Sequence, residues 1–291
     1  MPSSSIHGYL DDAKVLDARQ FRILVRRLAD SLSYGTDLST FLGSGVEYVQ
    51  SRPYAPGDSV RSIDWRITAR TGKIFVKEFE SPKCMPVHIL IDTSASMTIS
   101  SVARSKYETA TFLAGGLALA CLDRVSPVGL VGVGERSLRI KPSLSSTQVM
   151  EWMLRLRSFR YDEGTRLAER IAEITPRLNS RVMVIVLSDL HDPNALKSLK
   201  RMAQRHDCAV LQLQDPAEVG LRGAGFLRAR EAETGRKFAT LGRTNHLDQD
   251  TIQRSLKRSG IDHLLIRTDK EYVAPVRRFF QSRGLLGRKT R

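Results

Sequence analysis

From Val87 onward the chain repeats one pattern: a short apolar run, a break into small, hydroxyl or acidic residues, then a segment whose apolar positions recur at helical spacing. Continuous apolar runs suit strands buried on both faces of a parallel sheet, where neither face needs a polar residue. The pattern predicts strands at Val87–Ile91, Val128–Val133, Arg181–Ser188, Ala209–Leu213 and Asp262–Ile266, with Leu138–Lys141 as an edge strand. It predicts helices over Val102–Asp123, Thr147–Leu156, Gly164–Leu178, Pro193–Gln204, Asp248–Ser259 and Tyr272–Arg283. In the first of these, Ala110, Ala114, Gly115, Gly116 and Ala118 allow close approach to a sheet, and in the second Trp152 is expected in the core. Strands alternating with helices give the fold class: α/β, with a doubly wound, mostly parallel sheet.

The first 86 residues show another pattern. Val15, Leu16, Phe21, Ile23, Leu24, Leu28 and Leu32 are mostly three or four apart, which predicts an amphipathic N-terminal helix over Ala13–Ser33, capped by Gly35. Leu38–Ser51 is broken by glycines and reads as loop and short strand. Pro56-Gly57-Asp58 predicts a turn, and Lys73–Phe79 a strand after Thr71-Gly72. Between them Arg61, Asp64 and Arg70 surround Trp65. Tyr54 and Trp65 are expected to pack, with Asp58 and Asp64 bonded to arginines or backbone amides. The alternative is a docking surface made of Arg52, Asp58, Arg61, Asp64 and Trp65. The division expected is therefore 1–86, an N-terminal helix and small β-rich segment, and 87–291, the α/β domain.

The candidate chemistry sits where the strands end. Val87–Ile91 runs into Asp92-Thr93-Ser94-Ala95-Ser96-Met97, so Asp92, Ser94 and Ser96 fall on one loop at a strand's carboxyl end, where open α/β sheets place their sites. One carboxylate and two hydroxyls are hard oxygen donors, suited to Mg²⁺ or a similar divalent cation such as Mn²⁺. Asp189 ends a second apolar run, and Thr165 follows Gly164 at a predicted helix start. The plainer reading is that the aspartates cap loops and the serines turn the chain by local hydrogen bonds. A hydrolase would use His191 or His88 as a base near the cation. Ser94 and Ser96 lack the G-x-S-x-G setting of a nucleophile.

Bulk properties narrow the class. Hydrophobic content of 41% and charged content of 26% are ordinary for a globular protein. The net charge of +15 is concentrated late: residues 220–291 hold 17 Lys and Arg against 7 Asp and Glu. Such a quarter can attract nucleic acid, anionic lipid or an acidic protein partner, the plainer reading being a solvated arginine-rich surface, and no zinc-finger spacing or glycine-rich phosphate loop accompanies it. Cys84, Cys121 and Cys208 fit no disulfide framework, which points to a reducing compartment. The start lacks a secretory pattern, and the most apolar helix, Ala110–Leu122, is too short for the roughly 20 residues a span needs. A cytoplasmic location is expected.

Two resemblances attach to these residues. Asp92, Ser94, Ser96, Thr165 and Asp189, in that order, resemble the metal-ion-dependent adhesion site (MIDAS) of von Willebrand factor A domains. The series Arg52, Tyr54, Gly57-Asp58, Arg61, Ile63-Asp64-Trp65, Ala69-Arg70, then Val76-Lys77-Glu78-Phe79-Glu80, is similar to a large bacterial family of uncharacterised proteins. Its members carry a von Willebrand factor A-like domain and are typically encoded beside MoxR-type AAA+ ATPases. The match runs from about Gly45 to 283, and Leu213–Glu218 and the hairpin-like Leu227–Leu241, turning at Thr234-Gly235, also fit. The resemblance implies a Rossmann-like, von Willebrand factor A-like fold. It implies that Ser94, Ser96 and Thr165 hold the cation directly or through water, while Asp92 and Asp189 ligate it or fix its waters. It also implies a non-enzymatic adaptor or co-chaperone of a MoxR-type ATPase, binding an acidic partner residue through the cation.

Overall fold

The computed structural model describes residues 7–10, 23, 26–29, 47–80, 85–123, 125–136, 138–178, 180–219, 226–230, 237–241 and 248–282. Most of the expected N-terminal helix, its cap at Gly35, Cys84, the Thr234-Gly235 turn and Arg283 lie outside the described residues. In chain order the strands are β1 (His7–Tyr9), β2 (Glu47–Pro53), β3 (Phe75–Glu80), β4 (Val87–Ile91), β5 (Val128–Gly132) and β6 (Arg139–Ser143). They continue as β7 (Ser158–Arg160), β8 (Met183–Ser188), β9 (Asp207–Gln214), β10 (Phe226–Arg230), β11 (Lys237–Leu241) and β12 (Asp262–Arg267).

Two compact units divide the chain: Gly35–Cys84, and Met1–Tyr34 together with Met85–Arg291. The described residues among 1–34 lie in the sheet-bearing unit. Two contacts show why. β1 runs antiparallel to β7. Leu28 lies so close to the helix Lys106–Leu122 that a Cβ at Gly116 would stand 2.7 Å from its side chain.

The larger unit is built on a six-stranded sheet ordered β12-β9-β8-β4-β5-β6. Every pairing is parallel except β5 with β6, the antiparallel edge. The alternation of strands and helices thus yields the mixed α/β, mostly parallel sheet it predicts. Side chains of each strand sort to opposite faces by the period of two. Val87, Ile89 and Ile91 join Ile185, Leu187, Leu211 and the helices Lys106–Leu122, Ser146–Leu156 and Val273–Ser282 on one face. Leu90, Val184, Val186 and Val210 meet Leu167–Ile174, Ala195–Ala203 and Gln249–Arg258 on the other. Trp152 is fully buried, as its pattern predicts.

The strand order fixes where a site can form. From β4 the chain passes to β5 on one side, whereas β8, β9 and β12 build outward on the other. The crevice at the switch point therefore lies between the carboxyl ends of β4 and β8, where open α/β sheets bind their ligands. Register brings these exits level, with Ile91 opposite Leu187. No helix among the described residues is long and apolar enough to cross a membrane.

In the smaller unit β2 and β3 pair antiparallel with an irregularity between Tyr48 and Gln50. The helix Trp65–Thr71 is not legible in the sequence. Asp64 starts it, accepting from the amides of Arg66 and Ile67, and Gly72 ends it at φ +69°. That conformation favours glycine, as helix ends often do. Asp64 also accepts from the Ser51 hydroxyl, and Asp58 pairs with Arg52 at 2.7 Å and accepts from the Ala55 amide. Both aspartates do what the sequence suggests. The packing expected of Tyr54 and Trp65 is corrected: they are 40% and 67% exposed. Among the described residues of the unit Val76 and Asp64 are buried, whereas Trp65 stands exposed at the first position of its helix.

Candidate functional site

Asp92 leaves β4 at the switch point and is almost wholly buried. Its main-chain amide donates to the Leu187 carbonyl, continuing the β4–β8 ladder one residue past the strand. Its carboxylate accepts from the Ser94 amide at 3.1 Å and from the Ser188 hydroxyl at 2.6 Å. Ser188 is the last residue of β8, so one hydroxyl ties the two strand exits together. Ser94 then begins the short helix Ala95–Thr98, and its hydroxyl lies 3.0 Å from that of Ser96.

Asp189, next along from Ser188, is equally buried. Leu190 comes after it in the left-handed region at φ +62°, an uncommon conformation for a bulky residue and one that turns the backbone sharply. The Leu190 amide donates to the Ser188 hydroxyl. His191 then sits with Nδ1 3.0 Å from Asp189 Oδ2. The same carboxylate oxygen accepts from Lys106 Nζ at 2.7 Å, and Lys106 also pairs with Glu218.

The loop carrying Thr165 is brought in by Glu163. The Glu163 carbonyl accepts from the Ala95 amide at 2.7 Å, and its carboxylate accepts from the Thr93 hydroxyl at 2.8 Å and from Arg136 Nε at 2.7 Å. Glu163 is completely buried. The fit beneath it is so close that a Cβ at Gly134 would overlap both Glu163 Oε1 and Thr93 Oγ1. Thr165 itself bridges to Gly134, and its helix begins only at Leu167. The expectation that Thr165 opens that helix is thereby corrected: pairing across to Gly134 holds it extended.

The three segments that carry the predicted site residues thus meet at one end of the sheet. Asp92, Ser94 and Ser96 share a loop, Asp189 is joined to Asp92 through Ser188, and the Thr165 loop is bonded to the Asp92 loop through Glu163. Of the suggested docking residues, Arg52 and Asp58 pair with each other, Asp64 caps a helix, and Arg61 and Trp65 are exposed, all in the smaller unit. His88 lies inside β4, away from the strand exit. Sequence reasoning missed Ser188, Glu163, Lys106 and Glu218. The signals available were a serine beside Asp189, and a lysine at the head of an otherwise apolar helix.

Electrostatics separate the two aspartates. Burial pushes the Asp92 carboxyl up, reinforced by the charge of Asp189, to about 7. Burial also pushes Asp189 upward, but the Lys106 ammonium and His191 more than offset it and hold Asp189 well below the usual range. Burial and Asp189 thus disfavour the charged form of Asp92, whereas Lys106 and His191 favour that of Asp189. The donor set suits a hard divalent cation. At the roughly 2.1 Å of Mg²⁺–oxygen bonds, adjacent octahedral ligands stand about 3.0 Å apart. The Ser94–Ser96 hydroxyl spacing of 3.0 Å equals that edge. It is also an ordinary hydrogen-bond length, so the carboxylates supply the further support. A dication beside Asp92 would offset the burial that disfavours its charged form.

A family model described as "Protein of unknown function DUF58" matches residues 50–260. This chain belongs to that family. The matched span takes in β4 through β9 and every residue of the candidate site, so the site is part of the DUF58 region. Uncharacterized proteins of Mycobacterium bovis and Mycobacterium tuberculosis are each 28% identical over 298 residues, covering 97% of this chain and 94% of theirs. An uncharacterized protein of Mycobacterium avium is 28% identical over 165 residues, covering 46% of this chain and 96% of its own. The crystal structure of the Deinococcus radiodurans RO (RSR) protein aligns at 16% identity and a TM-score of 0.37, covering 92% of this chain. The chain spans about half of that structure's length, 49%, and likeness at this level carries no argument.

Proposed function

We propose that this DUF58 protein is a non-enzymatic interaction module with a von Willebrand factor A-like site. In this reading it binds an acidic residue of a partner protein through a divalent cation. One observation carries the reading: two hydroxyls 3.0 Å apart and two buried aspartates from adjacent strands converge at the switch point of a parallel sheet. The hydroxyls of Ser94, Ser96 and Thr165 would hold the cation, with Asp92 and Asp189 ligating it or fixing its waters. Mg²⁺ keeps waters in its coordination shell; when bound, it offers an exchangeable position to a partner's carboxylate oxygen. Ser188 and Glu163 have the structural task of keeping the loops in register.

The preference for recognition over hydrolysis rests on His191. Its Nδ1 is held 3.0 Å from Asp189 Oδ2, and although burial pulls its pKa down, that carboxylate outweighs burial and raises it, which lowers the share of neutral imidazole available as a general base. The partner we propose is a MoxR-type AAA+ ATPase, on the sequence resemblance, with the basic residues of the C-terminal quarter helping to steer an acidic surface toward the protein.

The test is a pull-down of the MoxR-type ATPase of the same genome by the full chain. Retention in Mg²⁺, loss in EDTA, and loss with Asp92→Ala are expected. Retention unaffected by both EDTA and Asp92→Ala would contradict the metal-dependent mode. Turnover of a generic phosphoester with Mg²⁺, lost in His191→Ala, would favour the hydrolase instead.

A further inference from the structure

Lys106 is the least expected residue near the site. It occupies the first position of the helix Lys106–Leu122, where the partial positive charge of the helix amino end disfavours a cation, and it is buried. Nothing in helix stability explains an ammonium there. Its side chain crosses to the exit of β8, donates to Asp189 Oδ2 at 2.7 Å and pairs with Glu218, which lies just beyond β9. Asp189, His191 and Glu218 place their ligand atoms within 4.8 Å of one another, close enough to share a cation. The Lys106 ammonium pairs with both carboxylates of that trio.

Resting on the metal-site reading above, we propose that Lys106 sets the cation affinity and electrophilicity of the Asp92–Asp189 site by cancelling the charge of one aspartate from within the fold. Without Lys106, Asp92 and Asp189 facing a dication would neutralise it, and Glu218 would add a third negative charge nearby. With Lys106 and His191 both held against Asp189 Oδ2, less negative charge is left for the cation, which retains more positive charge that an incoming carboxylate can satisfy. Ligand charge count is a principal control on the affinity of oxygen-donor sites for divalent ions. Glu218 is the counterweight: by sharing the ammonium, it limits how far Lys106 screens Asp189. Glu218 is itself braced, since its carboxylate accepts from the Asp215 amide at 3.3 Å. Asp215 in turn accepts from the Ser101 amide and hydroxyl, on the segment between the Asp92 loop and Lys106.

The charge balance predicts opposite effects for two substitutions, which a purely structural salt bridge does not. Mn²⁺ and Mg²⁺ are titrated calorimetrically into the full chain, into Lys106→Met and into Glu218→Gln, with Asp92→Ala as control. Lys106→Met is expected to tighten Mn²⁺ binding at least about tenfold, and Glu218→Gln to weaken it about threefold or more, given the strength of charge interactions at these separations. If Lys106→Met does not fold, as judged by circular dichroism, the weakening in Glu218→Gln carries the test alone. Equal or weaker Mn²⁺ binding by folded Lys106→Met, or unchanged binding by Glu218→Gln, overturns the role of Lys106 while leaving the metal site standing. Binding that survives Asp92→Ala undiminished, or no binding by the unaltered chain, overturns both.

Discussion

Replacing Glu163 with alanine removes a buried side chain that ties the loops after β4 and β5 to the loop bearing Thr165. Its carboxylate accepts from the Thr93 hydroxyl at 2.8 Å, the Arg136 amide at 3.1 Å and Arg136 Nε at 2.7 Å, and it has no exposure to solvent. Breaking a buried ion pair by deleting one member costs about 3–5 kcal/mol, because the other charge is left without compensation. Arg136 is 27% exposed, so water recovers part of that loss and the ionic contribution falls to the low end. The two hydrogen bonds to Oε1 add about 1 kcal/mol each. The expected destabilisation of Glu163→Ala is therefore about 5 kcal/mol. Glu163→Gln keeps the shape and the Oε1 acceptor but loses the charge, and should fall near half of that. Urea unfolding monitored by circular dichroism reads both differences. An alanine variant within about 1 kcal/mol of the parent, or a glutamine variant as unstable as the alanine one, would show that the loops are held by something else.

Gly134→Ala should act through the same contact from the other side. Its Cβ has no room beside Glu163 and Thr93, so a loss of about 1–3 kcal/mol is expected, and it should shrink in a Glu163→Ala background. Trp152→Ala should cost about 3–5 kcal/mol in the same unfolding assay, since the indole is fully buried among the helices on one face of the sheet. His88 supplies a pH dependence. Burial, with Arg139 and His206 nearby, lowers its pKa to about 4. A depressed imidazole favours the folded state fully above the unfolded value near 6.5. That stability is lost as pH falls from about 6.5 toward about 4, by up to about 3 kcal/mol. His88→Phe should flatten that part of the stability profile, and an unaltered slope between about pH 7 and about pH 4 would refute the assignment.

The sequence is most informative where polarity changes along a single strand. Asp92 and Asp189 are legible because each carboxylate ends an apolar run, and the strand order then puts both exits at one crevice. Lys106, Glu163 and Glu218 are not, because their meaning lies in partners remote along the chain. Lys106 reaches Asp189 across 83 residues and Glu218 across 112, and Glu163 reaches Thr93 across 70. No local periodicity reports such pairings. Trp65 departs from expectation for a related reason: a tryptophan among arginines suggests packing, but at the first position of its helix it is left 67% exposed. The helix Trp65–Thr71 is only seven residues long, and bonding of Asp64 to backbone amides can be expected from its sequence without revealing that those amides open a helix. Thr165 lies on the expected loop without the expected helical start, because its pairing with Gly134 joins residues far apart along the chain.

Calorimetric titration of Mg²⁺ into the full chain tests most directly whether the exits of β4 and β8 bind a divalent cation. Binding of one equivalent by the unaltered protein, abolished in Asp92→Ala while circular dichroism shows the fold retained, is the predicted result. The same Mg²⁺ affinity in Asp92→Ala as in the parent would contradict it.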